Sequence, residues 1–371
     1  MFNKLQQIQL DSPVLGETEK LYLERAVSSG YVSTAGPFVP EFEAKLCGFI
    51  NGAKGAVSTQ SGTAALHVAL CELGIEPGDE VIVPVLTFIA TINPIKYVGA
   101  VPVFVDIDKE TWNIDIGQIE KAITDKTKAI IPVHLYGNPC NMDKIMDLAK
   151  EHNIIVVEDA AQSLGAKYKG KHTGTFGDLG CFSFNGNKII TTGGGGMVVG
   201  TNIKQIKHIK FLVNQAKDET MSHYHPEMGF NYRMTNLEAA LGLAQLERLE
   251  GVLAKKKKIN QIYKNELANT GGGISFQEES LGAESSFWFS CVVLDEGSKI
   301  DNLQKELKKQ GIPTRRIFMP VVEFPPYKQD RKEAYQNAYS VYDRGLCLPS
   351  STLNSCDDIY YVCEKLKELI K

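Results

Sequence analysis

The sequence predicts an α/β fold: a mainly parallel central sheet in a large domain, followed by a smaller α+β C-terminal domain. Three observations predict it. Between residues 58 and 200, short apolar runs alternate with stretches of helical period. Those runs lack polar alternation, which marks strands covered on both faces. Beyond residue 200 the pattern turns helical and then mixed. At ~150 residues per domain, a chain of 371 residues holds two or three units. The expected division is 1–250 for the large domain, with its N-terminal helices, and 251–371 for the small one.

The elements follow in order. Residues 17–29 and 39–50 have helical period, with Gly30 placed as a C-terminal stop. The cap Ser61 opens a helix to Leu73, ended by Gly74. Residues 80–84, 102–106, 129–133 and 154–159 read as strands, separated by helices over 91–98, 116–123 and 142–152. A long amphipathic helix is expected over 237–267, broken by the glycines of 270–273. A strand over 287–294, a helix over 300–310 and a final helix over 357–370 complete the small domain.

Composition removes several function classes. Forty Lys+Arg against forty-four Asp+Glu give a net charge of −4, too balanced for an electrostatic nucleic-acid binder. The basic run Lys255–Lys258 continues a helical pattern and reads as a solvated face. No apolar stretch approaches the ~18 residues of a membrane span. Residues 1–7 lack a signal-peptide core, so a cytoplasmic protein is expected. Eight scattered cysteines without a C-x-x-C pair suggest reduced thiols, with neither a disulfide framework nor a metal site.

Four segments could carry chemistry. Ser61-Gly62-Thr63 at a helix start presents free N–H groups and the positive dipole end, suited to a phosphate or simply to an ordinary cap. Asp159 closes an apolar strand at the end where open α/β sheets place ligands. It suits a partner that must stay protonated, such as a pyridinium nitrogen, or a helix cap. Lys188 lies in Phe182-Ser183-Phe184-Asn185-Gly186-Asn187-Lys188-Ile189-Ile190, between two strand-like segments. A desolvated lysine there is a Schiff-base nucleophile; a snorkelling lysine is the plain alternative. Gly229–Asn236 precedes the long helix, with Thr235 or Asn236 as its cap.

Together these segments resemble the DegT-type sugar aminotransferases, which depend on pyridoxal 5'-phosphate and share the type I, aspartate-aminotransferase-like fold. The motifs S-G-T-A-A-L, E-D-A-A-Q, F-S-F-N-G-N-K-I-I-T-T and G-F-N-Y-R-M-T-N stand in the family's order across nearly the whole chain. The resemblance is to the subgroup that aminates 4-keto-6-deoxy sugars on a nucleotide, including perosamine synthases and bacillosamine-pathway enzymes. It implies that Lys188 carries the cofactor and that Asp159 faces the pyridine nitrogen. Gln162 would lie near the phenolic oxygen and Phe88 would stack on the ring. Gly62, Thr63 and Ser183 would hold the phosphate. Asn231 would reach the phosphate of the neighbouring subunit, implying a homodimer with shared sites. Arg315 and Phe318 are the candidate substrate contacts. The segment 313–322 departs from the family pattern, with Met319 and Val322 where tyrosine and histidine are common.

The implied reaction moves an amino group from an amino-acid donor, L-glutamate by resemblance, to C4 of a nucleotide-linked 4-keto-6-deoxyhexose, through the pyridoxamine form. The product would be an amino sugar for surface glycans such as lipopolysaccharide. A 3-aminotransferase and a non-catalytic cofactor-binding regulator are the alternatives. A nicotinamide-dependent dehydrogenase lacks a G-x-G-x-x-G after the first strand. A sugar dehydratase of the same family would carry histidine in place of Lys188.

Overall fold

The structure, a computed structural model, describes residues 7–218, 220–221, 223–268, 273–295, 300–329 and 332–370. Its central sheet has seven strands: β1 (Gly55–Thr59), β2 (Glu80–Pro84), β3 (Val101–Val105), β4 (Thr127–Ile130), β5 (Ile155–Asp159), β6 (Leu179–Ser183) and β7 (Gly196–Gly200). Their spatial order is β1-β7-β6-β5-β4-β2-β3. Pairing is parallel from β6 through β3, and β7 runs against both of its neighbours. The reversal has a simple cause. Residues 184–195 return from β6 to β7 with no crossover helix, so the second strand comes back antiparallel.

The elements predicted between residues 58 and 200 form with small shifts in their ends. The buried runs of β2, β5 and β7 account for the missing polar alternation. Side-chain caps start the intervening helices: Asp115 for Ile116–Ala122, and Asn141 for Met142–His152. Two expected helices change. The helix over 91–98 is a short 3-10 turn, Ile89–Thr91, followed by Asn93–Tyr97. The long helix over 237–267 is two helices, Asn236–Glu247 and Leu249–Leu267. Arg248 leaves helical geometry between them, at φ −103° and ψ 1°, where its side chain pairs with buried Glu19 at 2.9 Å. No glycine or proline marks that break.

Towards the C-terminus, Ile274–Phe276, Ser290–Leu294, Gly345–Leu348 and Arg315–Arg316 form a four-stranded antiparallel sheet. The strand expected from residue 287 begins at Ser290, and the preceding residues form a loop. The glycine break expected at 270–273 lies outside the described residues except for Gly273. A core of Ile259, Ile262, Tyr263, Val292, Ile359 and Val362 packs this sheet against helices Leu249–Leu267 and Cys356–Leu369, and Ile8 joins it from the other end of the chain. Residues 9–12 are strapped to the same region. Gln9 and Asn354 exchange hydrogen bonds of 2.8 and 2.7 Å, Ser350 N donates to Leu10 O at 2.7 Å, and Ser351 Oγ donates to Ser12 O at 2.7 Å.

The eight cysteines are free thiols. Among the described residues no helix is long and apolar enough to cross a membrane, and no cluster of metal-ligating side chains occurs.

Candidate active site

The carboxyl ends of β1, β2, β5 and β6 share one edge of the sheet, where α/β folds place ligands. A cavity of about 280 Å³ opens there, lined by Gly62, Thr63, Phe88, Asp159, Gln162, Ser183, Lys188, Arg315 and Phe318 among others. Nine of the ten residues singled out in the sequence therefore meet in one place. The tenth, Asn231, is exposed and lies outside this cavity, on the segment that pairs with residues 213–215.

One end of the cavity is an anion cradle. Ser61 caps the helix Gly62–Glu72 by accepting from Ala64 N at 3.1 Å, which leaves the earlier N–H groups open to a ligand. The cradle is close-packed. A Cβ at Gly62 would sit 2.8 Å from Cβ of Ser183, and one at Gly196 would sit 2.5 Å from the Ser61 carbonyl carbon. Gly62→Ala is expected to lower affinity for a phosphate-bearing ligand about tenfold or more, given ~1–3 kcal/mol for overpacking. Equilibrium dialysis checks it.

At the other end stands Asp159, buried at 3% exposure. Its Oδ2 accepts from Thr91 Oγ1 at 2.7 Å and its Oδ1 from Ala161 N at 3.0 Å, while Thr91 Oγ1 also meets Thr87 Oγ1 at 2.9 Å. These bonds fix the carboxylate's plane. Neighbouring Glu158 points to the opposite face of β5, as strand geometry demands. There it accepts from Gly174 N, Phe176 N and Gly177 N at 2.6–2.8 Å and contacts His134 Nε2 at 3.0 Å. Of the adjacent acids, one buttresses the fold and the other faces the cavity. Gln162 spends its Oε1 on Tyr136 N at 2.8 Å, leaving its NH2 as the end able to donate into the cavity.

Lys188 lies on the β6–β7 return, half-buried, with Nζ 3.8 Å from the centre of the Trp288 ring. Desolvation pushes its amine down to about 8; Asp159 and Asp11 oppose that fall and Arg315 adds to it. A neutral, nucleophilic amine is thus accessible near neutral pH. Arg315 is held by Asp11, whose Oδ2 accepts from Arg315 Nη2 and from Asn187 Nδ2, both at 2.9 Å. Phe318 stacks on Tyr136, with centroids 5.2 Å apart and planes at 17°, and Phe88 leans on Phe318 at 5.8 Å. Phe88 is 54% exposed, so one aromatic face at the cavity stands open.

Sequence reasoning missed Trp288, Thr91, Tyr136 and Asp11. Only Trp288 gave a signal, as one of two tryptophans in the chain. The others are ordinary residues in ordinary contexts, drawn in by tertiary contact.

Comparison with known proteins agrees with this geometry. The chain is similar to the GDP-perosamine synthase of Escherichia coli O157:H7, 41% identical over 98% of this chain and 99% of that one. It is 40% identical to the GDP-perosamine synthase of Caulobacter vibrioides over 99% of each. A solved structure described as a sugar aminotransferase of Streptococcus pneumoniae in its PLP form matches with a TM-score of 0.93, at 29% identity over 98% of both chains. The sequence model of one family fits residues 13–367, which include both sheets and every wall of the cavity. The chain belongs to the DegT/DnrJ/EryC1/StrS aminotransferase family.

Proposed function

We propose that this protein transfers an amino group from L-glutamate to C4 of a GDP-linked 4-keto-6-deoxyhexose, with pyridoxal 5'-phosphate as cofactor. The observation that carries the reading is convergence: an anion cradle, a buried carboxylate and a desolvated lysine share one cavity. The GDP-perosamine synthases at 38–41% identity support the sugar and its nucleotide.

The residues present fit the cofactor. Gly62, Thr63 and Ser183 would hold its phosphate, in a cradle with no space for a Cβ at Gly62. Asp159 would meet the ring nitrogen, Gln162 the phenolic oxygen, and the open face of Phe88 the ring. When bound, the cofactor supplies an electron sink for the carbanion at the substrate carbon.

The chain supplies the rest. Asp159, oriented by Thr91 and Ala161, would hold a proton on the ring nitrogen by its negative charge. Lys188 would hold the cofactor and, as a free amine beside the substrate, would carry the proton between carbons as base and then acid. Trp288 and Phe318 wall the site and limit water, with Tyr136 stacked behind both. Arg315 is the cationic side chain of the cavity other than Lys188, and we assign it to the substrates, with Asp11 as its counter-ion.

Asn231 would serve the partner subunit's site, which makes the working enzyme a homodimer; its substrates place it in the cytoplasm. Mixed dimers of Lys188→Ala and Asn231→Ala chains should then recover part of the activity that each variant lacks alone.

Incubation with glutamate and a panel of keto-sugar nucleotides tests the function. The expected result is 2-oxoglutarate release with the GDP sugar, and product NMR placing nitrogen on C4. No 2-oxoglutarate from any pairing overturns the reading, and nitrogen on C3 replaces it with the 3-aminotransferase. The lysine makes a separate prediction. Lys188 of the cofactor-free protein should capture pyridoxal phosphate faster as pH rises, levelling off above about 8. An unperturbed lysine would level only near ~10.4. Stopped-flow absorbance reads the difference.

A further inference from the structure

Behind Lys188, away from the main cavity, lies a second lysine that the chemistry above does not use. Lys256, on the helix Leu249–Leu267, corrects the expected solvated face of 255–258: it is 6% exposed, turned inward to two carbonyls. Its Nζ donates to Trp288 O and to Ser350 O, both at 2.9 Å, and among the described residues it forms no ion pair. Burial pushes its amine down to about 8, with Asp11 as the opposing charge. Such a cation is costly to bury, so what it holds matters.

It holds the loop that carries Trp288. The indole N–H of Trp288 donates to Asn187 O at 2.6 Å, and the ring face lies under Lys188 Nζ. The same loop is clamped from the other side: Ser286 N donates to Gly137 O at 3.1 Å. A Cβ at Gly137 would stand 3.0 Å from the backbone nitrogens of Phe287 and Trp288. Phe287 has a φ of +49°, a conformation bulky residues avoid unless their surroundings impose it. A void of about 10 Å³ is lined by Lys188, Lys256 and Asp11, enough for one water.

We propose that Lys256 is a positioning residue for Lys188, acting through Trp288: it pins the loop so that the indole face supports the reacting amine. The inference rests on Lys188 being the cofactor-bearing lysine.

The charged groups acting on Lys188 are Asp159, Arg315 and Asp11, and none is altered in the test. The Lys188 amine is titrated by competitive labelling with acetic anhydride in the cofactor-free protein, read by peptide mass spectrometry. The visible absorbance of the pyridoxal-phosphate-loaded protein is titrated in parallel. Trp288→Leu should lower the Lys188 midpoint by about 0.5–1 pH unit, because the ring face favours the cation. Trp288→Phe should keep most of the wild-type value. Lys256→Met should lower the midpoint in the same sense, and the double variant should fall no further than Trp288→Leu. Were Lys256 only a buried charge, removing it would raise the midpoint. A rise, no change in a folded variant, or additive shifts overturn the proposal. If Lys256→Met does not fold, Lys256→Gln, which keeps donors without charge, should hold the midpoint, and a rise again overturns it. Borohydride trapping at a lysine other than 188 would instead defeat the underlying assignment.

Discussion

Lys188→Ala is expected to eliminate amino transfer, with a loss of more than about 10³-fold, since a positioned acid–base group alone contributes ~10²–10⁴. The variant should still bind pyridoxal phosphate, because Gly62, Thr63 and Ser183 are untouched, yet borohydride should fix nothing at position 188. Lys188→Arg should do no better. A guanidinium keeps its proton at any working pH and cannot serve as nucleophile or base. Stability should hold or rise, because a desolvated amine is removed from beneath the cavity. Turnover by coupled 2-oxoglutarate assay, equilibrium dialysis of the cofactor, trapping by mass spectrometry and a thermal melt read the four expectations separately.

The second large effect belongs to Asp159→Asn, with an expected loss of about 10²–10⁴ in kcat and little change in fold. Both carboxylate oxygens accept hydrogen bonds, one from the Ala161 N–H and one from the Thr91 hydroxyl. An asparagine keeps its oxygen on Ala161, whose N–H cannot turn, and its NH2 then faces Thr91, whose hydroxyl can rotate to accept. Packing survives, and what is lost is the charge proposed to keep the ring nitrogen protonated. Single-turnover kinetics on the loaded variant should show the proton-transfer step slowed while glutamate still binds. An Asp159→Asn protein with wild-type kcat would remove Asp159 from the mechanism.

Much of this site was legible before any coordinates. Lys188, Asp159 and Ser61-Gly62-Thr63 are local patterns: a lysine in an apolar return, a carboxylate ending a buried strand, a small-residue helix start. Of the three, Asp159 alone closes a strand that the sequence predicts; β1 and β6, which bring Ser61 and Lys188 to the same edge, were not among the predicted strands, and family likeness grouped them. Trp288 and Asp11 were not legible, because each reaches the site by tertiary contact from a segment far from Lys188 in the chain. The break at Arg248 was hidden for a related reason. Apolar period runs on through residues 237–267, and the interruption coincides with the ion pair to Glu19, a partner more than two hundred residues earlier. Asn231 is proposed for the site through family likeness alone, since nothing around it on this chain forms a cavity with Lys188.

The strap that ties residues 9–12 to residues 350–354 has a consequence for how the molecule comes into being. Asp11 leaves the ribosome 304 residues before the arginine it holds, and the serine carbonyl at 350 follows later still. A nascent chain can assemble the seven-stranded sheet first, but it cannot close the wall behind Lys188 until residue 350 has emerged. Stalled or prematurely terminated chains that lack residues beyond 349 should therefore emerge with a folded sheet and an unfinished pocket.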